Sequence, residues 1–145
     1  MASDPIRDLR RITSAFTAMQ RKAFTAKGPS ADTRALILTE LLPAAGLSIS
    51  EIASRIGSDR PWVSQVVEQL RKDGLLERTQ NEEDRRRVRV RLTPQGRRLA
   101  ADLRTALTEE IEQLFAGIPV AQRPAAHAFL RLLAEAFERQ RAQQR

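Results

Sequence analysis

Residues 48–76 decide the fold; they read SISEIASRIGSDRPWVSQVVEQLRKDGLL. Ser48 and Glu51 have the spacing of a capping box, so a helix is predicted to begin there, and Gly57 ends it after about two turns. A second helix is predicted from about Arg60, with an apolar stripe at positions i, i+3, i+4 and i+7. That stripe consists of Val63, Val66, Val67 and Leu70. Two short helices joined by a tight, glycine-containing turn are typical of a helix-turn-helix.

The residues after this corner predict a β-hairpin. Gly74 is expected to cap the second helix in the left-handed conformation, and residues 75–79 to form a strand. Residues 87–92 then alternate strictly between arginine and apolar side chains, with Val88, Val90 and Leu92 on one face. This period is typical of a half-buried strand. A helix-turn-helix followed by a hairpin is the winged-helix arrangement.

Helices are also predicted on both sides of this unit, because apolar residues recur there at helical spacing. The predicted fold class is therefore mainly α with a small β-wing: a winged helix-turn-helix of about six helices plus a β-hairpin. We expect residues 1–145 to form a single domain, with the winged helix-turn-helix at 32–93 and a long linking helix at 94–116. Residues 5–27 and 117–141 are expected to be dimerisation helices.

The composition excludes several classes of function. The chain has 145 residues, one His and no Cys, so it offers no disulfide, thiolate metal site, cysteine nucleophile or His-rich zinc site. No apolar run approaches the ~20 residues that span a bilayer, and the N-terminus lacks the apolar core of a signal peptide, so we expect a cytoplasmic protein. Because no glycine-rich phosphate loop or nucleophile elbow is present, we expect no enzymatic activity, no cofactor and no bound metal.

The positive charge is concentrated in one region of the chain. The formal net charge is +7, and residues 55–104 carry +5 of it, whereas residues 105–145 are neutral. Most of the cations are arginines, whose planar guanidinium suits phosphate and guanine. An arginine-rich composition would explain the Arg-to-Lys ratio but not the clustering. The charge pattern therefore favours a polyanionic partner.

Residues 62–67 and 74–78 resemble the recognition helix and first wing strand of MarR-family regulators. Residues 84–96, DRRRVRVRLTPQG, resemble that family's wing signature, in which Asp and Arg lie two apart before a Leu-Thr pair and a Gly. The resemblance covers nearly the whole chain and implies an intertwined homodimer, a pseudo-palindromic double-stranded DNA operator, and repression relieved by a small, often aromatic or phenolic ligand. The resemblance also implies that Asp84 positions the wing through a salt bridge, for which Arg86 is the candidate partner. No ligand-binding residues are assigned.

The candidate DNA-binding residues lie on three predicted elements. The N-terminal residues of the second helix would meet base edges in the major groove, where Gln65 can pair with adenine and Arg60 with guanine or phosphate. Wing arginines suit a narrow minor groove. Hydroxyls at the start of the first helix of the helix-turn-helix can bind phosphate, although helix capping alone explains Ser48. The full set is Ser48, Ser50, Ser58, Arg60, Pro61, Ser64, Gln65, Gln69, Arg85, Arg86 and Arg87.

Three further residues have open interpretations. Glu68 lies on the same face and would repel phosphate, so it is left out of the base-reading set; it could accept from cytosine N4 or pair with Arg71 or Lys72. Trp62 is predicted to be partly buried and structural, with packing against a DNA sugar as the alternative. His127 is predicted to pack between helices or at an interface rather than to catalyse a reaction.

The apolar faces of the first and last helices predict a homodimer, because they lie outside the compact recognition unit. The candidate dimerisation residues are Leu9, Ile12, Phe16, Phe129, Leu133 and Phe137. Two recognition helices ~34 Å apart would read half-sites one turn of DNA apart. The alternative function is a winged-helix protein-interaction module without DNA binding. An enzyme using carboxylates alone is a third possibility, but no acidic pair has a supporting motif.

Overall fold

The computed structural model describes residues 4–24, 31–80 and 88–143. Its helices are α1 (Pro5–Phe24), α2 (Ala31–Leu41), α3 (Ile49–Ile56), α4 (Arg60–Lys72), α5 (Pro94–Ala116) and α6 (Arg123–Gln143), with a short 3-10 helix at Val120–Gln122. The strands are β1 (Leu76–Gln80) and β2 (Val88–Leu92). The predicted fold class, mainly α with a small β-wing, is confirmed. The chain divides into two compact units, one that ends at Thr108 and one that begins at Glu109.

The core of the first unit is built by α2, α3, α4 and the wing. The apolar stripe predicted for α4 is fully buried, with each of its four side chains at most 1% exposed. The core consists of Ile37, Leu38, Leu41, Leu47, Ile52, Ala53, Val63, Val66, Val67, Leu70, Leu75, Leu76, Val90, Leu92 and Ala100. Burial of this apolar surface holds the two short helices together, since neither is long enough to be stable alone.

The turn between α3 and α4 is fixed by caps at both helix starts. The Glu51 N–H donates to Ser48 Oγ at 3.1 Å, and the Ser48 N–H donates to Glu51 Oε2 at 2.7 Å, which is the predicted capping box. Gly57 ends α3 with φ 67°, a left-handed conformation that favours glycine. Asp59 then caps α4, because the Trp62 N–H donates to Asp59 Oδ1 at 2.9 Å.

The wing is a two-stranded antiparallel sheet in which Leu76 lies opposite Leu92 and Gln80 opposite Val88. Leu47 adds an isolated bridge to β2, because its N–H donates to Val90 O at 3.0 Å and the Val90 N–H donates to Leu47 O at 2.8 Å. The sequence pattern contains no sign of this bridge. Val88 lies on the same face of β2 as Val90 and Leu92, as predicted, but it is not buried with them, since Val88 is 44% exposed and Val90 1%. Val88 lies at the end of the strand farthest from Leu92, beyond the core.

The junction between β2 and α5 explains the Thr93-Pro94-Gln95-Gly96 sequence. The Thr93 N–H donates to Leu75 O at 3.1 Å, and the Thr93 hydroxyl donates to Gly74 O at 2.7 Å. The Gly96 N–H donates in turn to Thr93 Oγ1 at 3.1 Å. A Cβ added at Gly96 would lie 2.0 Å from Leu75 O, so only glycine lets α5 begin this close to the α4–β1 corner.

The second unit contains the end of α5 and all of α6. The ring of His127 stacks on Phe115 at a centroid distance of 4.1 Å, which matches the predicted packing role. Arg123 holds the turn before α6, because its Nε donates to Ile118 O at 2.9 Å and its Nη2 to Ala116 O at 3.2 Å. The helix predicted within 117–141 therefore begins only at Arg123, after the 3-10 helix.

Candidate nucleic-acid interface

The polar face of α4 lies opposite its buried stripe. The structure leaves Arg60, Pro61, Gln65 and Gln69 exposed on this helix, and Ser64 half-buried. Because α4 starts at Arg60, three of these residues lie in its first one and a half turns, where the unpaired backbone N–H groups of a helix are also found. The helix therefore exposes one cationic side chain in its first turn and two amide side chains farther along its polar side.

An open groove of about 600 Å³ adjoins the N-termini of α3 and α4 and the outer end of the wing. It brings together Ser48, Ser50 and Arg60, three of the predicted residues, from two different elements. The complete lining is Ser48, Ile49, Ser50, Glu51, Arg60, Arg78, Val88 and Arg89. Three arginines and two hydroxyls in one groove form a surface that can bind phosphate.

Arg89 was missed as a site residue from the sequence. Its Nη1 donates to Gly46 O at 2.9 Å, and its Nη2 lies 3.9 Å from Glu51 Oε1. These contacts tie β2 to the start of α3, beside the Leu47–Val90 bridge. The alternation of β2 placed Arg89 on the polar face of the strand, but only the bridge reveals that this part of β2 lies next to α3.

The pKa of the Glu51 carboxyl lies below its usual value of 4.5. The main cause is the hydrogen bond from the Ser48 backbone N–H, while the Ser48 hydroxyl and the charges of Arg89 and Arg55 act in the same direction. Partial burial opposes this shift, because it penalises the charged form. Glu51 is therefore an anion at neutral pH, which orients Arg89 at the edge of the groove.

Glu68 links α4 to the wing. Arg71 Nη2 lies 2.7 Å from Glu68 Oε1, Arg71 Nε donates to Glu68 Oε2 at 3.1 Å, and Arg78 Nη2 donates to Glu68 Oε2 at 3.3 Å. Of the two partners considered from the sequence, Arg71 is the one that pairs with Glu68, and Arg78 of β1 is a second partner that the sequence did not indicate. The hydrogen bond from Arg71 is the main reason why the pKa of Glu68 lies below its usual value.

Trp62 has the structural role predicted for it. Its side chain is partly buried against the core, and its indole Nε1 donates to Thr33 Oγ1 of α2 at 3.2 Å. The hydrogen bond and the packing fix the rotation of α4 about its axis, because they join the first turn of α4 to α2. Trp62 therefore helps to determine which face of α4 is exposed.

The remaining predicted site residues are not in the groove. Ser58 is half-buried in the turn before α4, where its N–H donates to Ala53 O at 3.0 Å. Asp84, Arg85, Arg86 and Arg87 lie outside the described residues, so their roles at the wing remain predictions. Within residues 4–24, 31–80 and 88–143, no cluster of three or more His, Cys, Asp or Glu residues could hold a metal ion. None of the helices described for this chain is long and apolar enough to cross a membrane.

The comparisons with known proteins support the winged helix-turn-helix fold. The MarR family model matches residues 32–88, from the start of α2 to the first residue of β2. No curated protein matches the chain in a sequence search.

Solved structures similar to this fold include three bacterial proteins. The PcaV transcriptional regulator from Streptomyces coelicolor, in complex with its natural ligand, has a TM-score of 0.70 and 24% identity, covering 94% of this chain and 99% of that one. BpsR from Bordetella bronchiseptica, whose DNA binding is regulated by 6-hydroxynicotinic acid, has a TM-score of 0.72 and 24% identity, covering 91% and 94%. A MarR family protein from Bacillus stearothermophilus has a TM-score of 0.75 and 19% identity, covering 91% of both chains. The family model matches the helix-turn-helix, and the fold of the solved structures extends over nine-tenths of the chain, so the chain has the winged helix-turn-helix fold seen in a MarR family protein.

Proposed function

We propose that the protein is a homodimeric, sequence-specific regulator of transcription that binds double-stranded DNA and is released from it by a small ligand. The observation that carries this proposal is the groove in which Ser48, Ser50 and Arg60 meet Arg78 and Arg89. It lies beside the exposed face of α4, so groups suited to phosphate adjoin groups suited to base edges. A duplex needs both kinds of contact to be bound in one register.

In this proposal α4 enters the major groove and reads bases through its first turns. Gln65 pairs with adenine and Arg60 with guanine or phosphate, and Pro61, Ser64 and Gln69 lie beside them on the helix. Ser48 and Ser50 bind phosphate at the start of α3. The wing residues Arg85, Arg86 and Arg87 follow the minor groove, and Asp84 positions them. Ser58 is the remaining residue that we propose contacts DNA.

The proposed dimer is supported by apolar side chains that α1 and α6 leave in solvent. On α1, Leu9, Ile12 and Phe16 are 37%, 47% and 41% exposed; on α6, Phe129 and Phe137 are 58% and 47% exposed, and Leu133 is half-buried. Exposed apolar faces of this kind mark interaction surfaces. We assign residues 5–27 and 117–141 to dimerisation, 32–93 to DNA binding and 94–116 to the link between these functions.

The ligand part of the proposal comes from the similar proteins. PcaV is described with its natural ligand and BpsR with 6-hydroxynicotinic acid. We infer that this chain is a repressor relieved by a small aromatic or phenolic compound. Such a compound must bind the DNA-free and DNA-bound forms of the dimer with different affinities. The protein would work in the cytoplasm and by binding alone, without catalysis.

A binding titration across salt concentrations tests the proposed function. The probe is the DNA upstream of the protein's own gene, and the readout is a gel shift with footprinting. We expect a protected site whose affinity falls steeply with salt, because bound arginines displace condensed counterions. Gln65→Ala should weaken specific binding by about 1–3 kcal/mol, whereas Gln113→Ala on α5 should leave it unchanged. The alternative, a protein-interaction module, is favoured if no site is protected and partner binding is insensitive to salt.

A further inference from the structure

Glu68 is an acidic residue on the face of α4 that we propose meets DNA. It lies three residues after Gln65, about one helical turn farther along the same side. An isolated carboxylate in this position would repel phosphate and lower affinity. Its side chain, however, is not isolated, because it holds one arginine from its own helix and one from the wing.

The arginine from the wing belongs to the groove. Arg78 lines it together with Ser48, Ser50 and Arg60, yet its Nη2 donates to Glu68 Oε2 at 3.3 Å. Arg71 binds the same carboxylate through two nitrogens, at 2.7 and 3.1 Å. The network thus brings two positive charges to one negative charge at the edge of the candidate DNA-binding surface.

The ion pairs of Glu68 hold Arg71 and Arg78 in place, but a DNA phosphate can replace Glu68 as the partner of either arginine. About half of the Arg78 and Arg71 side chains remains exposed to water, at 51% and 45%. Exposed ion pairs contribute little net stability, so a nearby phosphate can compete for either guanidinium. Arg71 and Arg78 keep the pKa of Glu68 low, so the carboxylate stays charged at any pH used for DNA binding.

We propose that Glu68 is a selectivity residue that restrains Arg71 and Arg78 and thereby lowers the affinity of the protein for DNA outside its operator. This inference rests on the proposed DNA-binding function. On random sequence, no base contacts hold α4 in one register against the phosphates, so Glu68 keeps the two arginines and they contribute little to binding. Replacing Glu68 would release Arg71 and Arg78 to bind the phosphates of any duplex. The affinity for random DNA would then rise, and the difference in affinity between operator and random DNA would become smaller.

The test compares Glu68→Gln with Glu77→Gln as a matched control. Both changes remove one negative charge from an exposed Glu–Arg pair, since Arg91 Nε lies 2.6 Å from Glu77 Oε1. Glu77 lies on the opposite face of β1 from Arg78, because side chains alternate along a strand, and it does not line the groove. The measurement is fluorescence anisotropy of a labelled random-sequence duplex, titrated at several salt concentrations.

We expect Glu68→Gln to tighten binding about threefold or more at about 0.1 M salt. The plot of log affinity against log salt should steepen by about one for each arginine that gains a phosphate. Glu77→Gln should leave this slope unchanged. Adding Arg78→Ala to Glu68→Gln should reduce the slope again by about one, whereas Arg78→Ala alone should not change it.

Three results would overturn the inference while leaving the proposed function intact. Equal effects of Glu68→Gln and Glu77→Gln would mean that only net charge matters. Weaker binding of random DNA by Glu68→Gln would mean that Glu68 orients Arg71 and Arg78 toward DNA. In a selection of bound sequences from a random pool, a base preference at one operator position that changes with Glu68→Gln would mean that Glu68 reads cytosine. If the wild-type protein binds neither random nor upstream DNA, the proposed function itself fails and the inference fails with it.

Discussion

The packing of the first unit leaves no room for a side chain at Gly96. Its missing side chain lets α5 approach the carbonyl of Leu75, while Thr93 joins the same corner through its backbone and its hydroxyl. The wing signature therefore has a structural meaning in this chain. Its Thr and Gly fix where β2 ends and where α5 begins.

Gly96→Ala should destabilise the fold by about 2 kcal/mol or more, because the added methyl group would meet a backbone oxygen that has no freedom to move aside. Urea denaturation followed by circular dichroism measures this loss of unfolding free energy. Gly117→Ala is the control, because its nearest atom would be Leu114 O at 3.4 Å, an ordinary contact. Equal stability of the two variants would contradict the close approach at Gly96.

Glu51 makes the capping box of α3 sensitive to pH. Its pKa is lowered in the folded protein, chiefly by the Ser48 backbone N–H, so its stabilising contribution is complete above the unfolded value of about 4.5 and is lost as pH falls through the folded value. The wild type should therefore be more stable than Glu51→Gln at pH 7. This advantage should shrink as the pH falls below about 4.5. Thermal melts of both proteins from pH 7 to pH 3 measure this advantage. A stability difference that stays constant over this range would contradict the lowered pKa of Glu51.

Among the elements, α3, α4 and their turn were predicted from the sequence because their signals are local. The Ser48 capping box and the glycine that ends α3 lie within one short stretch, and the buried stripe of α4 repeats within two turns. The Leu47–Val90 bridge could not be predicted, since its partners are far apart in sequence and neither lies in a pattern that points to the other. Arg78 and Arg89 were missed for the same reason, because their positions in the groove depend on tertiary packing.

Arg89 should protect the bridge between β2 and Leu47, because its guanidinium holds the carbonyl of Gly46, the residue before Leu47, and lies near Glu51 of α3. Arg89→Ala is expected to speed hydrogen exchange at the Val90 amide about fivefold, which corresponds to roughly 1 kcal/mol of local stability. Arg91→Ala is the matched control on the same strand, since Arg91 pairs only with Glu77 among the described residues. Equal protection of Val90 in both variants would show that Arg89 does not support the bridge.

At the scale of the whole molecule, charge and apolar exposure are divided between regions. Residues 55–104 hold most of the net charge and include α4 and the wing, whereas residues 105–145 are neutral and include α6 with its exposed phenylalanines. This division fits one region for a polyanion and another for a second copy of the chain. A dimer would carry a charge of about +14, and its attraction to DNA would fall with salt.

The proposed homodimer can be tested by placing a charge on the apolar faces of α1 and α6. Phe16→Asp on α1 and Phe129→Asp on α6 should each shift the protein from dimer to monomer in sedimentation velocity, because an unpaired carboxylate cannot be buried in an apolar interface. Val88→Asp is the control, since Val88 is an exposed apolar residue of the wing. A dimer that persists in both test variants would place the interface elsewhere.

In the proposed dimer, two copies of α4 read DNA together. Selection of bound sequences from a random pool, carried out at two salt concentrations, tests this arrangement. We expect enrichment of a pseudo-palindrome whose half-sites are centred about 10 base pairs apart, with sharper enrichment at the higher salt because nonspecific binding is lost first. A pool with no enriched sequence at either salt concentration would contradict binding by two copies of α4.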